Sequence, residues 1–224
     1  MSYYLDLEKF TLEMLENRLK NSRVLPSQKV LLEDLENRFN CIQSFGLQNL
    51  ADLQEKLKTK KHVQDFSEES SVPLEFLTVL RREINSYQPK PIHLKEFPGV
   101  DLESVRKLEA VGIKNTKQLF PFVQTAFDRK VFSCTHQISE DEILDLTKLT
   151  DVARIKWVGP KFARLLVETT FDSVQKVANA DPEALFVELM RVNDEKRIYK
   201  GNLGKEDLAQ WINTVQDVPQ VIEY

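Results

Sequence analysis

Phe97-Pro98-Gly99-Val100-Asp101 and Lys156-Trp157-Val158-Gly159-Pro160-Lys161 are two copies of one element, and the sequence after each copy repeats in register. A constant offset of 58 carries Gly99 onto Trp157, Val100 onto Val158, Arg106 onto Arg164, Leu108 onto Leu166, Ile113 onto Phe171, Thr116 onto Val174 and Leu119 onto Val177. Each copy reads as a short helix, a glycine hairpin, a second helix, a tight turn and a third helix. Such a hairpin turns backbone N–H groups toward a helix N-terminus, where the partial positive charge suits an anionic phosphate. The element predicts a binding mode and no reaction.

Outward from the hairpins, a more distant copy occupies the N-terminal part. Phe45-Gly46-Leu47-Gln48-Asn49-Leu50 matches Val111-Gly112-Ile113-Lys114-Asn115-Thr116 at an offset of 66, and Ser71 to Leu77 resembles Ser139 to Leu144 and Gly204 to Leu208. Three units result: 1–88 with a degenerate hairpin, 92–150, and 151–224. In the first, the hairpin position near Glu33-Asp34 falls inside a long periodic helix that begins after Pro26-Ser27, so this unit is expected to cap the array. Pro89 and Pro91 interrupt regular helix, which places a linker at Tyr87–Pro91; a hinge there and a plain turn between stacked repeats both fit.

Helical spacing runs through nearly every segment, and strand signals are absent. Leu31, Leu35, Phe39, Ile42 and Phe45 define one apolar face, and Leu208, Trp211, Ile212 and Val215 another. Asn115 with Gln118 and Ser139 with Glu142 have capping-box spacing, and Asp181-Pro182 offers an N-cap followed by proline at the first helical position. The predicted fold class is all α, with tandem helix-hairpin-helix-like repeats stacked into a helical array.

Composition narrows the function classes. An apolar content of 42% can fill a core, and no apolar run approaches the roughly 20 residues of a membrane span. Residues Met1 to Asp6 lack the features of a secretory signal, so a cytoplasmic location is expected. Cys41 and Cys134 are too scattered for a disulfide framework and read as buried free thiols. The net charge of −4 argues against a strongly basic nucleic-acid binder. A local window differs: from Val152 to Val167 there are four basic residues, Arg154, Lys156, Lys161 and Arg164, and no acid.

At the hairpins the chain resembles the helix-hairpin-helix superfamily, whose hairpin has the pattern apolar, Gly, apolar, Gly. The stretch from Trp157 to Leu166, followed by Ala178-Asn179-Ala180-Asp181, is similar to an uncharacterised bacterial family within it, domain of unknown function 4332. The resemblance covers Ile92 to the C-terminus and, more weakly, the whole chain. It implies either DNA binding without sequence preference through hairpin amides or a protein-interaction role. Both hairpins depart from the pattern, with Asp101 in place of the second glycine in one and Trp157 in place of the first in the other. Asp101 reads as a helix cap that would repel phosphate.

The third hairpin is therefore the preferred phosphate site, with the amides of Val158, Gly159 and Lys161 and the charges of Lys156, Lys161 and Arg164. A second candidate is the loop at Lys200, Gly201 and Lys205, where glycines precede a helix start; as a plain loop it needs no ligand. Lys56 to His62 reads as an exposed helix end. No catalytic, cofactor or metal site is predicted: His62, His93 and His136 lie apart, and Asp172, the one acid placed like a glycosylase aspartate, reads as the start of a helix with Gln175 at capping-box spacing. The expected function is a non-enzymatic binding module that holds nucleic-acid backbone, DNA ahead of RNA, through the third hairpin. The alternative is a helical scaffold or adaptor for a protein partner, with hairpins that only pack helices. Oligomeric state is not fixed by the sequence.

Overall fold

The computed structural model describes residues 2–21 and 26–224. They divide into two compact units, Asp6–Gln88 and Pro89–Tyr224, the second also taking in the N-terminal residues through Leu5. The described residues are all-helical with no strand. Extended backbone pairs only at the isolated bridges Thr11 to Asn49 and His93 to Asn115.

The first unit holds α1 (Leu12–Asn21), a 3-10 segment Pro26–Leu32, α2 (Leu35–Ser44), α3 (Leu50–Lys56), α4 (Lys60–Ser70) and α5 (Leu74–Ser86). Leu31, Leu35, Phe39 and Ile42 are buried as their spacing predicts, whereas Phe45, on the same predicted face, is 37% exposed. The continuous helix expected through them is not present. Asp34 adopts a left-handed φ of 48° as the N-cap of α2, and Asn37 Nδ2 donates to Asp34 Oδ1 at 2.6 Å. Aspartate is one of the few residues that tolerates this conformation. The apolar spacing conceals the break because the 3-10 segment and α2 bury Leu31 and Leu35 alike.

The second unit holds a 3-10 turn Leu94–Glu96, α6 (Leu102–Ala110), α7 (Thr116–Leu119) running into a 3-10 turn Phe120–Phe122, α8 (Ala126–His136), α9 (Glu140–Val152), α10 (Pro160–Val167), α11 (Val174–Ala178), α12 (Pro182–Lys196) and α13 (Lys205–Val215). One core joins Leu108, Leu149, Leu165, Val177, Leu189 and Trp211, so the segments 92–150 and 151–224 share their buried interior.

Local geometry recurs at constant offsets. At 66, Gly46 (φ 79°) corresponds to Gly112 (φ 90°), and the left-handed C-cap Ser71 corresponds to Gln137. The N-caps Asn49 and Thr59 correspond to Asn115 and Thr125. Ser67 Oγ donates to the Val72 carbonyl at 2.7 Å and Ser133 Oγ to the Ile138 carbonyl at 2.6 Å. At 58, Gly99 (φ 79°) corresponds to Trp157 (φ 67°), and the N-caps Asp101 and Asn115 correspond to Gly159 and Ser173.

The caps expected at Ser139, Asp181 and Asn115 form. Ser139 and Glu142 make a full capping box, and Asp181 accepts from the Ala184 N–H with Pro182 in the first turn. Asn115 accepts from the Gln118 N–H, while Gln118 Oε1 takes the Lys114 N–H at 2.8 Å. Each such cap stabilises by about 1 kcal/mol. Gln137 is exposed at φ 51°, a conformation that costs a residue with a Cβ about 1 kcal/mol. Gln137→Gly is therefore expected to raise stability by about 0.5–1 kcal/mol, read as a higher urea midpoint at unchanged slope.

Candidate functional site

The third hairpin is built on a strained turn. Trp157 occupies the left-handed position that Gly99 fills in the other copy, and its indole is turned out to solvent at 55% exposure. It is not a core residue. Lys156 is buried, with its ammonium 4.2 Å from the Trp157 ring centroid, and its carbonyl accepts from Trp211 Nε1 at 2.9 Å. Pro160 begins α10 after Gly159, which has no side chain with which to cap the helix.

Three of the residues expected to hold phosphate are engaged elsewhere. Val158 is buried and its N–H donates to the Ile155 carbonyl at 3.2 Å. Arg164 is 5% exposed; its Nε donates to the Pro98 carbonyl at 2.6 Å, and both terminal nitrogens bind the Asp145 carboxylate at 2.7 Å. Lys156 is held under the indole. None of the three supplies surface charge. Arg154, also in the basic window, is buried against Asp151. The window without acids is thus matched by acids outside it, Asp145 and Asp151, and the basic side chain that faces water there is Lys161, beside the exposed Trp157, with Gly159 half-buried.

The second candidate loop is similarly occupied. Lys200 and Gly201 are exposed, but the Tyr199 ring lies closer to Gly201 than a Cβ would allow. Lys205 pairs with Glu183, and Asp207 sits against Gly204 at the start of α13, where a carboxylate already meets the helix dipole. In the Lys56 to His62 run, Thr59 breaks the chain and caps α4, so Lys60 and Lys61 begin a helix rather than end one.

Asp172 is not a helix cap; Ser173 takes that place by accepting from the Lys176 N–H. Asp172 instead binds Lys148 at 2.7 Å and Lys176 at 2.6 Å. Burial pushes its carboxyl up, but the two lysines outweigh burial and hold it below the ordinary aspartate range. A depressed folded-state value stabilises above the unfolded pKa and ceases to do so as pH falls through the folded one. Asp172→Asn should therefore lower stability by about 1 kcal/mol at neutral pH, with the difference closing in acid below roughly pH 4. Equal loss at all pH values would contradict the pairing. Cys134 is exposed rather than buried, and Cys41 is partly buried with its thiol 3.2 Å from the Ser70 carbonyl.

An apolar groove that the sequence reading missed lies beside the α6–α7 turn and α8. It encloses about 450 Å³ and is lined by Val111, Ile113, Pro121, Phe122, Phe127, Asp128, Val131, Phe132, Thr135 and His136. Val111, Phe122, Phe127 and Val131 are exposed by 54, 47, 74 and 47%. Phe122 stacks on Phe132 at 5.4 Å, and His136 meets the same ring at 4.4 Å. Phe127 and Val131 stand four residues apart on α8, away from the buried Arg129, Phe132 and Ser133.

At the offset of 66 the first unit answers these residues differently. Phe122, Phe127 and Val131 correspond to Lys56, Lys61 and Asp65, while Phe132 corresponds to Phe66. The Lys56 ammonium sits 4.8 Å from the Phe66 ring centroid and is anchored by Glu69 at 2.9 Å. The first unit thus roofs its aromatic floor with a paired cation. The second leaves apolar surface open.

A model of the family described as domain of unknown function (DUF4332) matches residues 98–217. The chain belongs to this family. The match begins in the hairpin at Pro98 and takes in α6 to α13, so the groove, the third hairpin and all but Phe97 of the other lie within the family domain. No curated protein and no solved structure matches the chain. Among the described residues, no helix is long and apolar enough to cross a membrane.

Proposed function

We propose that this chain is a non-enzymatic protein-docking module, built from tandem helix-hairpin-helix-like repeats, whose second repeat presents the α8 groove to a partner. The recurrence of left-handed turns, caps and side-chain bonds at offsets of 66 and 58 supports the repeat reading. Two free cysteines accord with a reducing, cytoplasmic setting.

The observation that carries the docking reading is the replacement of Lys56, Lys61 and Asp65 by Phe122, Phe127 and Val131 on a matching local frame. Burying an exposed phenylalanine gains about 1.5–3 kcal/mol, which folding leaves uncollected at Phe127. Contiguous exposed apolar surface of this kind marks interaction sites.

A second reading, nucleic-acid backbone binding at the third hairpin, is favoured by one feature. The N-terminus of α10 has no side-chain cap and carries the exposed Lys161. One surface lysine supports little affinity for a polyanion, since neutralised phosphates supply most of it. Lys161→Glu is expected to leave stability within about 0.5 kcal/mol, and it would abolish binding to labelled duplex DNA if that reading held.

NMR amide-shift mapping tests the docking reading with an uncharged helical peptide carrying leucines at i, i+3, i+4 and i+7 and glutamine elsewhere. Shifts confined to the groove, with a Kd on the order of 100 μM, are expected for a generic apolar stripe. Absence of groove shifts at millimolar peptide would end the proposal.

A further inference from the structure

We infer that the partner of the groove is an acidic amphipathic helix, inserting two or three apolar side chains between the α6–α7 turn and α8; this rests on the docking reading above. Size argues first. The four exposed side chains leave roughly 400 Å² of apolar surface, about half of the ~800 Å² per partner in a standard interface. A second copy of this chain seated on the patch alone would bury too little to hold, whereas one helix face with a few anchors fits a groove of about 450 Å³.

Charge argues second. From Arg106 to Gln137 there are six basic residues and two acids, in a chain whose net charge is −4; Arg129 is buried against the Val123 and Glu223 carbonyls and Lys107 pairs with Glu103, which leaves Arg106, Lys114, Lys117 and Lys130 as exposed cations. Of the two acids, Asp128 lies in the groove lining at the start of α8, where it accepts from the Thr125 N–H and hydroxyl at 3.0 and 2.8 Å, and Glu109 is half-buried. Lys114 follows the lining residue Ile113, Lys130 precedes the lining residue Val131, and both are exposed. An apolar floor set in a basic segment complements a helix that is apolar on one face and acidic on the other, because unlike charge at the rim speeds encounter and disfavours basic competitors. A stacked single strand would also meet basic charge. The lining mixes rings, Phe122, Phe127, Phe132 and His136, with the aliphatic Val111, Ile113, Pro121 and Val131, and Phe122 and His136 already pack on the Phe132 ring, so it offers side-chain-sized niches rather than an open run of rings for successive bases.

Three labelled peptides sharing one leucine stripe, with polar positions filled by Glu, Gln or Lys, would be titrated against the intact chain by fluorescence anisotropy over a salt series, with single-stranded DNA as a fourth probe. The Glu peptide should bind about tenfold tighter than the Lys peptide at low salt, with the gap narrowing as salt rises. Phe127→Glu should abolish binding, and Lys114→Glu with Lys130→Glu should remove or reverse the preference while retaining the Gln peptide. Because Phe127, Lys114 and Lys130 are all exposed, these variants should fold. Equal affinity for the Glu and Lys peptides would overturn the acidic partner while leaving the groove standing. Binding of none would overturn both, and DNA bound in a Phe127-dependent manner would replace the protein partner with a nucleic acid.

Discussion

Asp151→Ala is expected to destabilise the Pro89–Tyr224 unit by about 3–5 kcal/mol, read from urea denaturation, because it leaves a buried guanidinium without its counter-charge. Asp151 and Arg154 are each 2% exposed and hydrogen-bonded to one another. Asp151 Oδ2 also accepts from the Val174 N–H at 2.9 Å and from the Tyr224 hydroxyl at 3.1 Å. Arg154 Nη1 reaches the Pro219 carbonyl at 2.8 Å, and its guanidinium lies 4.9 Å from the Phe120 ring centroid. One carboxylate therefore ties the end of α9 to the start of α11 and to the C-terminal tail. Arg154→Met should cost a similar amount, and the double variant less than the two losses together, since each single change orphans the other partner. Additive losses would mean that the pair is not coupled.

The same network sets an alkaline limit. Burial firmly pushes the Tyr3 phenol above its ordinary range despite its bond to Thr116; Tyr224, 48% exposed, is pushed the same way less firmly, by desolvation of its phenol and then by the charge of Asp151. A raised folded-state pKa gives stability that is complete below the unfolded value and lost as pH rises toward the folded one. Stability should therefore fall above about pH 10. Tyr3→Phe with Tyr224→Phe should flatten that fall while lowering stability at neutral pH through the lost hydrogen bonds.

Arg164→Met carries the second large effect, a loss of about 2–3 kcal/mol. The bidentate pair with Asp145 and the bond to the Pro98 carbonyl join α9, α10 and the hairpin before α6 through a side chain that is 7% exposed. Methionine keeps much of the volume but leaves the Pro98 carbonyl and the partly buried Asp145 carboxylate without their donor. A phosphate-facing arginine would behave oppositely, with stability changed by less than about 0.5 kcal/mol and nucleic-acid affinity lost. The denaturation midpoint thus decides between structural and binding roles for Arg164 without a ligand in hand.

The helices and their ends were legible because their signals are local. Ser139 with Glu142, and Asp181 before Pro182, form caps from residues within one turn, and the apolar spacing around Trp211 maps directly to a buried face. The electrostatics were not legible, since Arg164 meets Asp145 only after α9 and α10 pack together. A basic window in the sequence became, in three dimensions, a row of internal ties. The groove escaped for the opposite reason: Val111, Phe127 and Val131 look like core residues in a sequence, and only packing among the described residues reveals that they stay exposed. The break at Asp34 was masked by apolar spacing that a 3-10 turn preserves.

A crossed experiment with two variants tests protein docking most directly. Anisotropy of the Glu-faced peptide and of duplex DNA would be measured against the parent chain, Phe127→Glu and Lys161→Glu. Docking at the α8 groove predicts peptide binding that Phe127→Glu abolishes and Lys161→Glu leaves within about twofold, with no saturable DNA binding at moderate salt. Peptide that fails to bind, together with DNA binding lost in Lys161→Glu, would contradict it and return the function to the third hairpin.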